Sequence, residues 1–266
     1  MSLTADLDLI VDAAREAGAL ALRLRGAGLD VEYKPGNSPV TNADLAADAL
    51  LTERLRSARP DYGWLSEETA DNTDRLDKTR LFVVDPIDGT RAFVKGRPWW
   101  SVCIAVVEAG RPVAAVVFAP DLDETFTART GGGAHLNGKV IQASQTDRVE
   151  GCGMVGDEVM FKHPAWPTPW PPMRIEPRNS TAYRMCLVAN GAFDATIAMG
   201  PKSDWDIAAA DLIATEAMAH CSDHQGQPFA YNRPNPQQRS MVCAAPRLAP
   251  LILERVSPIA LRNSVP

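Results

Sequence analysis

Two carboxylates three residues apart follow an apolar run in the stretch Phe82-Val83-Val84-Asp85-Pro86-Ile87-Asp88. Because proline fixes its own φ and lacks a backbone N–H, we expect Pro86 to interrupt any regular strand or helix here. The chain can then turn Asp85 and Asp88 towards one point, with the carbonyl oxygen of Ile87 between them. Three hard oxygen ligands suit Mg²⁺, which prefers octahedral oxygen coordination at roughly 2.0–2.1 Å. A strand that ends in an acidic turn explains this stretch about as well, so the metal-site interpretation needs support from other residues.

The next two residues, Gly89 and Thr90, suit a phosphate group. Each offers a free backbone N–H, and Thr90 adds a hydroxyl. If a short helix begins here, its N-terminus is a natural phosphate site, because its first N–H groups have no partner within the helix. The stretch as a whole therefore indicates a metal ion beside a phosphate.

Three further acids occur where predicted elements begin or end. Asp44 falls in the first turn of a predicted helix, where a negative charge is favourable by about 0.3–1 kcal/mol in its own right. Glu67 follows a predicted strand over Tyr62–Ser66, and Asp206 lies at the start of an alanine-rich predicted helix. Carboxylates gathered at such ends repel one another unless cations neutralise them. Two or three Mg²⁺ would neutralise these acids and leave room for a phosphate.

Hydrophobic periodicity and turn residues predict the elements that position these acids. Helices are predicted over residues 4–25, 41–59, 181–189, 203–220 and 248–256, the first capped by Thr4 and the second by Thr41 or Asn42. Strands are predicted over residues 30–34, 62–66, 100–108, 112–118, 124–129, 192–199 and 240–244, with a tight hairpin at Asn137-Gly138 and a loop over 34–39. The Pro- and Trp-rich segment 157–177 is predicted to be a rigid surface excursion, with a Pro-rich ligand segment as the alternative.

The composition is that of an ordinary globular protein with one large domain or two intimate halves: 266 residues, 45% hydrophobic and 23% charged. The net charge of −6 argues against a general nucleic-acid binder. No apolar run reaches the roughly 20 residues that span a bilayer. The acidic N-terminus lacks the features of a signal peptide, so we expect a cytoplasmic protein with no membrane partner.

Other hydrolytic chemistries lack their residues in this chain. The four histidines never have H-x-x-x-H spacing and no G-x-S-x-G occurs, which disfavours a zinc hydrolase or a nucleophile activated by histidine. The five cysteines are scattered and form no C-x-x-C pair, so we expect reduced, mostly buried thiols and no zinc site.

Four sequence motifs together resemble the inositol monophosphatase family. They are Lys34 with Ser38-Pro39-Val40-Thr41-Asn42-Ala43-Asp44, Ser66-Glu67-Glu68, Asp85-Pro86-Ile87-Asp88-Gly89-Thr90 and Trp205-Asp206-Ile207-Ala208-Ala209. The resemblance covers roughly residues 5–245. It implies an α/β (α+β) fold with layered α/β/α/β/α architecture, in one unit with an N-terminal α+β half (about 1–145) and a C-terminal α/β half (about 146–266). It also implies Mg²⁺-dependent phosphomonoester hydrolysis, two or three Mg²⁺ per subunit, inhibition by Li⁺, and a homodimer.

The same resemblance implies roles for individual residues. The implied metal ligands are Glu67, Asp85, the Ile87 carbonyl, Asp88 and Asp206. The implied catalytic groups, which position the attacking water, are Asp44, Glu67 and Thr90. The implied phosphate and substrate contacts are Asp88, Gly89, Thr90, Ser180, Lys202 and Asp206. Glu68 is left out, because on an extended chain its side chain points away from that of Glu67.

Several segments resemble the 3'(2'),5'-bisphosphate nucleotidase branch of the family. They are 37–41, 65–68, 88–93 and 225–231. Members that act on inositol carry an acid just before the Met-Gly that precedes the last motif, and this chain has Ala198 there. Against the nucleotidase branch, residues 133–138 resemble inositol phosphatases, and Asn179-Ser180 replaces a Gly-Ser pair.

We therefore expect a small phosphorylated substrate, with 3'-phosphoadenosine 5'-phosphate preferred. Inositol 1-phosphate and histidinol phosphate are the alternatives. A remote alternative is a non-enzymatic partner of the transcription machinery, which some family members resemble. Four cations could meet a 5'-phosphate, namely Arg178, Arg184, Lys202 and Arg233. Tyr231 could stack on the adenine, although each of these side chains is individually better explained as surface charge or core.

Overall fold

The computed structural model describes residues 2–164 and 166–261. The seven α-helices in these ranges are α1 (Leu3–Ala27), α2 (Asn42–Ala58), α3 (Thr90–Val94), α4 (Glu158–Phe161), α5 (Thr181–Ala189), α6 (Asp204–Glu216) and α7 (Ala249–Val256). Two 3₁₀ helices span Thr73–Asp77 and Pro120–Leu122.

The strands in the described ranges form two large sheets and two small ribbons. Those up to the middle of the chain are β1 (Val31–Lys34), β2 (Ser38–Thr41), β3 (Gly63–Ser66), β4 (Arg80–Asp88), β5 (Ser101–Glu108), β6 (Arg111–Ala119), β7 (Glu124–Arg129), β8 (Ala134–Leu136) and β9 (Lys139–Ile141). The rest are β10 (Gly153–Val155), β11 (Arg174–Glu176), β12 (Ala195–Ala198), β13 (Lys202–Ser203), β14 (His220–Ser222), β15 (Gln237–Gln238) and β16 (Met241–Ala244).

The first large sheet has seven strands in the order β3-β4-β5-β6-β7-β8-β9. Only β3 and β4 pair in parallel, and every later neighbour is antiparallel. Successive side chains of β4 point to opposite faces. Phe82 and Val84 join the apolar core under α1 and α2, whereas Leu81 and Val83 join the core under α5 and α6. Both faces of the sheet are therefore covered by helices.

The second large sheet has five strands in the order β11-β10-β12-β16-β14. Helices α5 and α6 contact one face of it, and α7 packs on β16 from the other side. A third apolar core joins Ile252 of α7 to Ile197 and Val242 of this sheet. The layers from one side to the other are helices, sheet, helices, sheet and helix, so the predicted α/β/α/β/α architecture is confirmed.

The structure changes several predicted boundaries. Helix α1 begins at Leu3 and its cap is Ser2, whose side-chain oxygen accepts from the Ala5 N–H, so the predicted Thr4 cap is wrong. The predicted loop over 34–39 is the turn and second strand of the β1–β2 hairpin, because β1 and β2 pair antiparallel. Helix α6 ends at Glu216, and His220 begins strand β14 instead of ending that helix.

The Pro- and Trp-rich segment packs by its aromatic rings. Trp166 and Trp170 meet edge to face with their centroids 5.3 Å apart, and Phe161 meets Trp170 at 5.3 Å.

All five cysteines are free and four are buried, as predicted. No helix in the described part of the chain is long and apolar enough to cross a membrane.

Candidate active site

The site is built first by the irregular end of β4. Its pairing with β5 is regular as far as Asp85 and shifts register between Asp85 and Asp88, around Pro86. The strand continues through the proline, so the predicted interruption takes the form of a bulge rather than an end. Asp85 and Asp88 are both buried, and the Asp85 carboxylate accepts the Ile87 N–H at 3.0 Å. The bulge is what brings the two acids to one side of the chain.

Asp206 reaches the same point from the start of α6. It is the third residue of that helix and accepts the backbone N–H of Ser203 at 2.8 Å, which completes a capping box. Ligand atoms of Asp85, Asp88 and Asp206 all lie within 4.8 Å of one another. Asp85 and Asp206 are 121 positions apart in the sequence (206 − 85), yet the fold places all three acids in one cluster.

The orientation of Asp88 is set by the start of α5. One oxygen of Asp88, Oδ2, accepts the Ser180 hydroxyl at 2.5 Å and the Ala182 N–H at 2.7 Å. Ser180 also caps α5 by accepting the Tyr183 N–H, and it lies 3.0 Å from the Ser101 hydroxyl. Ser180 is fully buried, so it positions Asp88 and does not line the open cavity.

Asp44 and Thr90 meet at the back of the site. Asp44 caps α2 by accepting both the backbone N–H and the hydroxyl of Thr41 on Oδ2, at 2.8 and 2.6 Å. Its other oxygen lies 3.3 Å from the Thr90 hydroxyl, which is also 3.0 Å from the Ile87 carbonyl oxygen. A hydroxyl has one proton, so Thr90 donates to one of these oxygens at a time. The structure thus brings together the predicted pair Asp44 and Thr90.

Glu67 and Glu68 share one cation, Lys34, which the predicted site did not include. The Lys34 ammonium lies 3.3 Å from Glu67 Oε1 and 2.7 Å from Glu68 Oε1. The expectation that Glu68 points away from Glu67 is wrong, because the chain turns after β3 ends at Ser66 and both carboxylates meet the same ammonium. Only 5% of the Glu68 side chain is exposed, so its charge is held against the site.

The carboxyl groups of this site hold their protons more tightly than free carboxyl groups do. Burial, followed by repulsion from neighbouring acids, raises the pKa of Asp85 well above its ordinary value. Burial raises the pKa of Glu67 to about 7 although Lys34 opposes it, and burial raises the pKa of Asp206 to about 6 although Lys202 opposes it. Burial likewise raises the pKa of Asp44 to about 6, against the two hydrogen bonds from Thr41. A dication would relieve this repulsion.

A cavity of about 200 Å³ opens over these residues. It is lined by Ser38, Pro39, Glu67, Asp85, Ile87, Asp88, Gly89, Thr90, Arg91, Asn179, Thr181, Lys202 and Asp206. Gly89 has a φ of 94°, and a Cβ there would lie 3.0 Å from the Trp99 carbonyl oxygen and 3.1 Å from the Ser180 N. Both the left-handed backbone and the close approach require glycine at this position.

Comparison with known proteins decides the family. The model of the inositol monophosphatase family matches residues 3–260 of this chain. This chain belongs to the inositol monophosphatase family. The family comprises metal-dependent phosphatases, which agrees with a cluster of acids around a small polar cavity.

Family relatives with three different names are similar to this chain. Nus factor SuhB of Pasteurella multocida is 32% identical over 95% of this chain and 96% of its own length. The inositol-1-monophosphatase of Mesorhizobium japonicum is 34% identical over 85% of this chain and 88% of its own length. The 3'(2'),5'-bisphosphate nucleotidase CysQ of Escherichia coli is 30% identical over 85% of this chain and 93% of its own length. The solved Thermotoga maritima IMPase superposes with a TM-score of 0.83 and 29% identity, over 95% of this chain and 97% of its own.

The donor set of this family member fits Mg²⁺. Asp85, Asp88 and Asp206 offer hard carboxylate oxygens close enough to share one ion, and Glu67 lines the same cavity. The buried carboxylates repel one another, and the Ile87 carbonyl oxygen lies beside Thr90 at the same cavity. No histidine or cysteine lines the cavity in the described chain, so the site has none of the softer ligands that zinc prefers.

The structure separates the predicted substrate residues into two groups. Lys202 lines the cavity, and the partly buried Arg184 lies behind it, close enough for Asp88 and Asp206 to act on its pKa. Arg178 instead pairs with Glu176 at 2.9 Å and stacks on Trp99, outside the cavity lining.

The proposed adenine contact of Tyr231 is wrong. Tyr231 is 2% exposed and donates its hydroxyl to Asp211 at 3.0 Å inside the core. Arg233 donates to the Gln237 carbonyl oxygen, also away from the cavity. Both lie on the segment that runs towards β15, and the sequence carries no signal of which way that segment faces.

Proposed function

We propose that this protein is a Mg²⁺-dependent phosphomonoesterase and that its substrate is 3'-phosphoadenosine 5'-phosphate, which it converts to AMP and phosphate. The observation that carries the hydrolytic activity is the cluster of Asp85, Asp88 and Asp206, with ligand atoms within 4.8 Å of one another at the floor of an open cavity. The backbone at Gly89 and Thr90, where α3 begins, lies in the same cavity lining.

The metal-holding residues in this proposal are Glu67, Asp85, the Ile87 carbonyl, Asp88 and Asp206. Mg²⁺ bound there supplies a water of lowered pKa and neutralises the charge that develops on the leaving oxygen. The Ser180 and Ala182 hydrogen bonds hold Asp88 through Oδ2, in an orientation that offers a ligand atom within 4.8 Å of those of Asp85 and Asp206. The buried Ser180 therefore acts as a positioning residue, because it fixes the rotamer of a ligand.

The proton of the attacking water leaves through Thr90 and Asp44. The Thr90 hydroxyl accepts a hydrogen bond from the water and donates its own proton towards Asp44 Oδ1, which is 3.3 Å away. Burial raises the pKa of Asp44 to about 6, which is close to neutral pH, so its carboxylate can accept that proton during turnover. Glu67, which also holds the metal in this proposal, lines the cavity wall and helps to position the attacking water.

Substrate preference rests on Ala198, at the end of β12, and on the cations of the cavity lining. A polyol such as inositol needs hydrogen-bond acceptors for its hydroxyls, and Ala198 supplies none where inositol-specific members carry an acid. A bisphosphorylated nucleotide needs cations for its second phosphate. Lys202 and Arg91 line the cavity as such cations, and Arg184 adds positive charge behind it. The similarity to CysQ supports the same preference.

Inositol 1-phosphate is the second candidate substrate, favoured by the 34% identity to the inositol-1-monophosphatase of Mesorhizobium japonicum. The similarity to Nus factor SuhB keeps a role with the transcription machinery as a third possibility. The site acids are all present in this chain, and that favours an enzyme over a protein that only binds a partner. The expected homodimer and cytoplasmic location remain predictions from sequence.

One assay panel tests the proposal. Values of kcat/KM for 3'-phosphoadenosine 5'-phosphate, inositol 1-phosphate and histidinol phosphate are measured at one Mg²⁺ concentration and one pH, with Asp88→Asn as the inactive control. We expect the bisphosphorylated nucleotide to have the highest value. A higher value for inositol 1-phosphate would overturn the substrate and keep the hydrolytic mechanism. No Mg²⁺-dependent hydrolysis of any of the three, or near-normal turnover by Asp88→Asn, would overturn the mechanism itself.

A further inference from the structure

An acid that the proposed mechanism does not use lies one helical turn beyond Asp44. Asp48 is on the same face of α2 as Asp44, because residues four apart on a helix are neighbours. Its side chain is buried and does not line the catalytic cavity. Asp44 contacts Thr90 at 3.3 Å, whereas Asp48 contacts the turn that follows β3. Two successive turns of one helix therefore contact two different parts of the site.

Both oxygens of Asp48 bind the turn that carries Glu67 and Glu68. The Ser66 hydroxyl donates to Asp48 Oδ1 at 2.5 Å, and the Thr69 hydroxyl donates to Oδ2 at 2.7 Å. These two donors are the residues immediately before and immediately after the acid pair. One carboxylate thus ties both ends of a four-residue segment to α2, and only the two acids lie between those ends.

The direction of these hydrogen bonds is fixed by the acceptor. A carboxylate can only accept, so the single proton of the Ser66 hydroxyl points at Asp48. The Ser66 oxygen then has lone pairs for another donor, and the Glu68 N–H lies 3.5 Å from it. The main chain of Glu67 is also held by β4, because its N–H donates to the Val84 carbonyl oxygen at 3.2 Å. The backbone at Glu67 is therefore fixed by contacts on both sides.

The Glu67 side chain is less firmly held than its backbone. Lys34 lies 3.3 Å from Glu67 Oε1 but 2.7 Å from Glu68 Oε1, so the ammonium is closer to the other acid of the pair. The rotamers that a side chain can adopt depend on the conformation of its backbone. The direction in which Glu67 enters the cavity is therefore set by the backbone of the turn, and Asp48 holds that backbone in place.

We propose that Asp48 is a positioning residue for Glu67, and that it strengthens Mg²⁺ binding without contacting the metal or the substrate. The inference rests on the proposed function, because it requires Glu67 as a metal ligand. Losing an outer partner that orients a metal ligand typically costs roughly 10–100-fold in metal affinity or activity. Helix α2 then orients both sides of the attacking water, through Asp44 and Thr90 on one side and through Asp48 and Glu67 on the other.

The test is a double-mutant cycle on the full chain with Asp48→Asn, Glu67→Ala and the two combined. The measured quantity is the Mg²⁺ dissociation constant, obtained from the rise in the free energy of unfolding in urea with Mg²⁺ concentration. Asparagine keeps the size of Asp48 but has one acceptor oxygen instead of two, so it releases one end of the turn. We expect Asp48→Asn alone to raise the dissociation constant by about tenfold. In the Glu67→Ala background it should raise it by less than about twofold, because the ligand through which Asp48 acts is gone.

A milder variant keeps the charge of Asp48. Thr69 is exposed, and Thr69→Val removes its hydroxyl and releases one end of the turn. We expect the Mg²⁺ dissociation constant to rise by about threefold, the scale of one hydrogen bond.

Asp194→Asn is the matched control. Asp194 also accepts two side-chain hydroxyls from one loop, those of Ser144 and Thr146 at 2.5 and 2.7 Å, but it does not line the cavity. The free energy of unfolding in EDTA reports the structural role of each acid. Only Asp48→Asn should change the Mg²⁺ dissociation constant, and this difference separates positioning of a metal ligand from a purely structural role.

Two results would overturn the inference and leave the proposed function intact. One is a Mg²⁺ dissociation constant that Glu67→Ala raises but that neither Asp48→Asn nor Thr69→Val changes. The other is an equal increase from Asp48→Asn with and without Glu67, which would assign the effect to the lost negative charge. If Glu67→Ala binds Mg²⁺ as tightly as the wild type, or if Mg²⁺ does not stabilise the wild type, the proposed metal site fails and the inference fails with it.

Discussion

Replacing Asp206 with asparagine should make the metal-free protein more stable and the enzyme nearly inactive. The substitution keeps the shape of the side chain and an acceptor for the Ser203 N–H, which Asp206 accepts at 2.8 Å in the α6 cap. It removes one of three clustered charges. A buried charge that serves catalysis lowers the stability of the metal-free fold. Its removal should therefore raise that stability while it lowers the activity.

The magnitude follows from the pKa. Burial raises the pKa of Asp206 from 3.8 to about 6, with Lys202 opposing and Asp88 adding to the rise. A folded-state pKa above the unfolded value means that the folded protein binds the proton more tightly, so stability falls as pH rises from about 4 to about 6 and the loss persists above that range. About two pKa units at ~1.4 kcal/mol each give an upper limit of about 3 kcal/mol. Because part of the shift comes from repulsion by Asp88, whose own ionisation also changes with pH, we expect a gain of about 1–3 kcal/mol for the asparagine variant at pH 8.

The assay is urea denaturation of both proteins in EDTA at pH 8, 6 and 4, followed by the same measurement in Mg²⁺. The gain should be greatest at pH 8, shrink towards pH 4, and reverse in Mg²⁺, which stabilises only a protein that binds it. Turnover in Mg²⁺ should fall by at least about a hundredfold, the scale of losing one group that stabilises transition-state charge. Asp211→Asn is the matched control, since it changes a buried acid of the same helix outside the cavity and should keep the Mg²⁺ stabilisation. A variant that is less stable than wild type in EDTA at pH 8, yet turns over normally, would refute the reasoning.

Three further predictions concern the same site. Thr90→Val keeps the side-chain volume but removes the hydroxyl, so kcat should fall by at least about a hundredfold with an unchanged circular dichroism spectrum; a higher KM alone would show that Thr90 serves only binding. Lys34→Met removes the cation that Glu67 and Glu68 share, so the Mg²⁺ concentration for half-maximal activity should fall several-fold as one like charge leaves the metal site; an unchanged value would mean that the ammonium moves away when Mg²⁺ binds. Millimolar lithium at limiting Mg²⁺ should inhibit turnover, as the family resemblance implies, and indifference to lithium would count against that implication without affecting the fold.

The sequence was sufficient for the parts of the site that local chemistry determines. Thr41 and Asp44 form a capping box whose spacing is visible in the chain, and the structure has both of its hydrogen bonds. Asp206 at the start of α6 is the third residue of a second capping box. A helix start constrains the backbone over three or four residues, so its side chains can be placed without knowing the rest of the fold.

The remaining contacts depend on how distant segments meet, and a single sequence carries little information on that. Lys34 lies 33 residues from Glu67 and 34 from Glu68, and it meets both only because the β1–β2 hairpin lies next to the turn after β3. The assignment of Tyr231 to the substrate failed for the same reason. An aromatic residue in a polar segment suits either a ligand surface or the core, and its hydroxyl bond to Asp211 decides for the core.

The effect of Pro86 was only partly predictable from the sequence. The residue was expected to interrupt any regular strand or helix, because its φ is fixed and it lacks the N–H that a ladder needs. In the structure, β4 continues to Asp88 and the pairing with β5 shifts register instead. A proline at a bulge interrupts one ladder bond and leaves the strand direction intact. The consequence for the site was nevertheless predicted correctly, since the bulge and the expected turn both bring Asp85 and Asp88 together.

The raised pKa values of Asp44, Glu67, Asp85 and Asp206 link the stability of the fold to the occupancy of the site. Free energy lost by ionising buried carboxylates in the metal-free protein is recovered when a dication neutralises them, so the same repulsion that weakens the empty fold strengthens metal binding. Asp88 and Asp206 are held in place by hydrogen bonds from the protein itself. Ser180 and Ala182 donate to Asp88, and the Ser203 N–H in the α6 cap donates to Asp206. The ligand geometry is therefore fixed before metal binds, and the ion has only to supply charge. Because these contacts belong to helix caps rather than to the cavity rim, a substitution at Arg91 can change the substrate preference without moving the metal ligands, whereas Lys202 also acts on the pKa of Asp88 and Asp206.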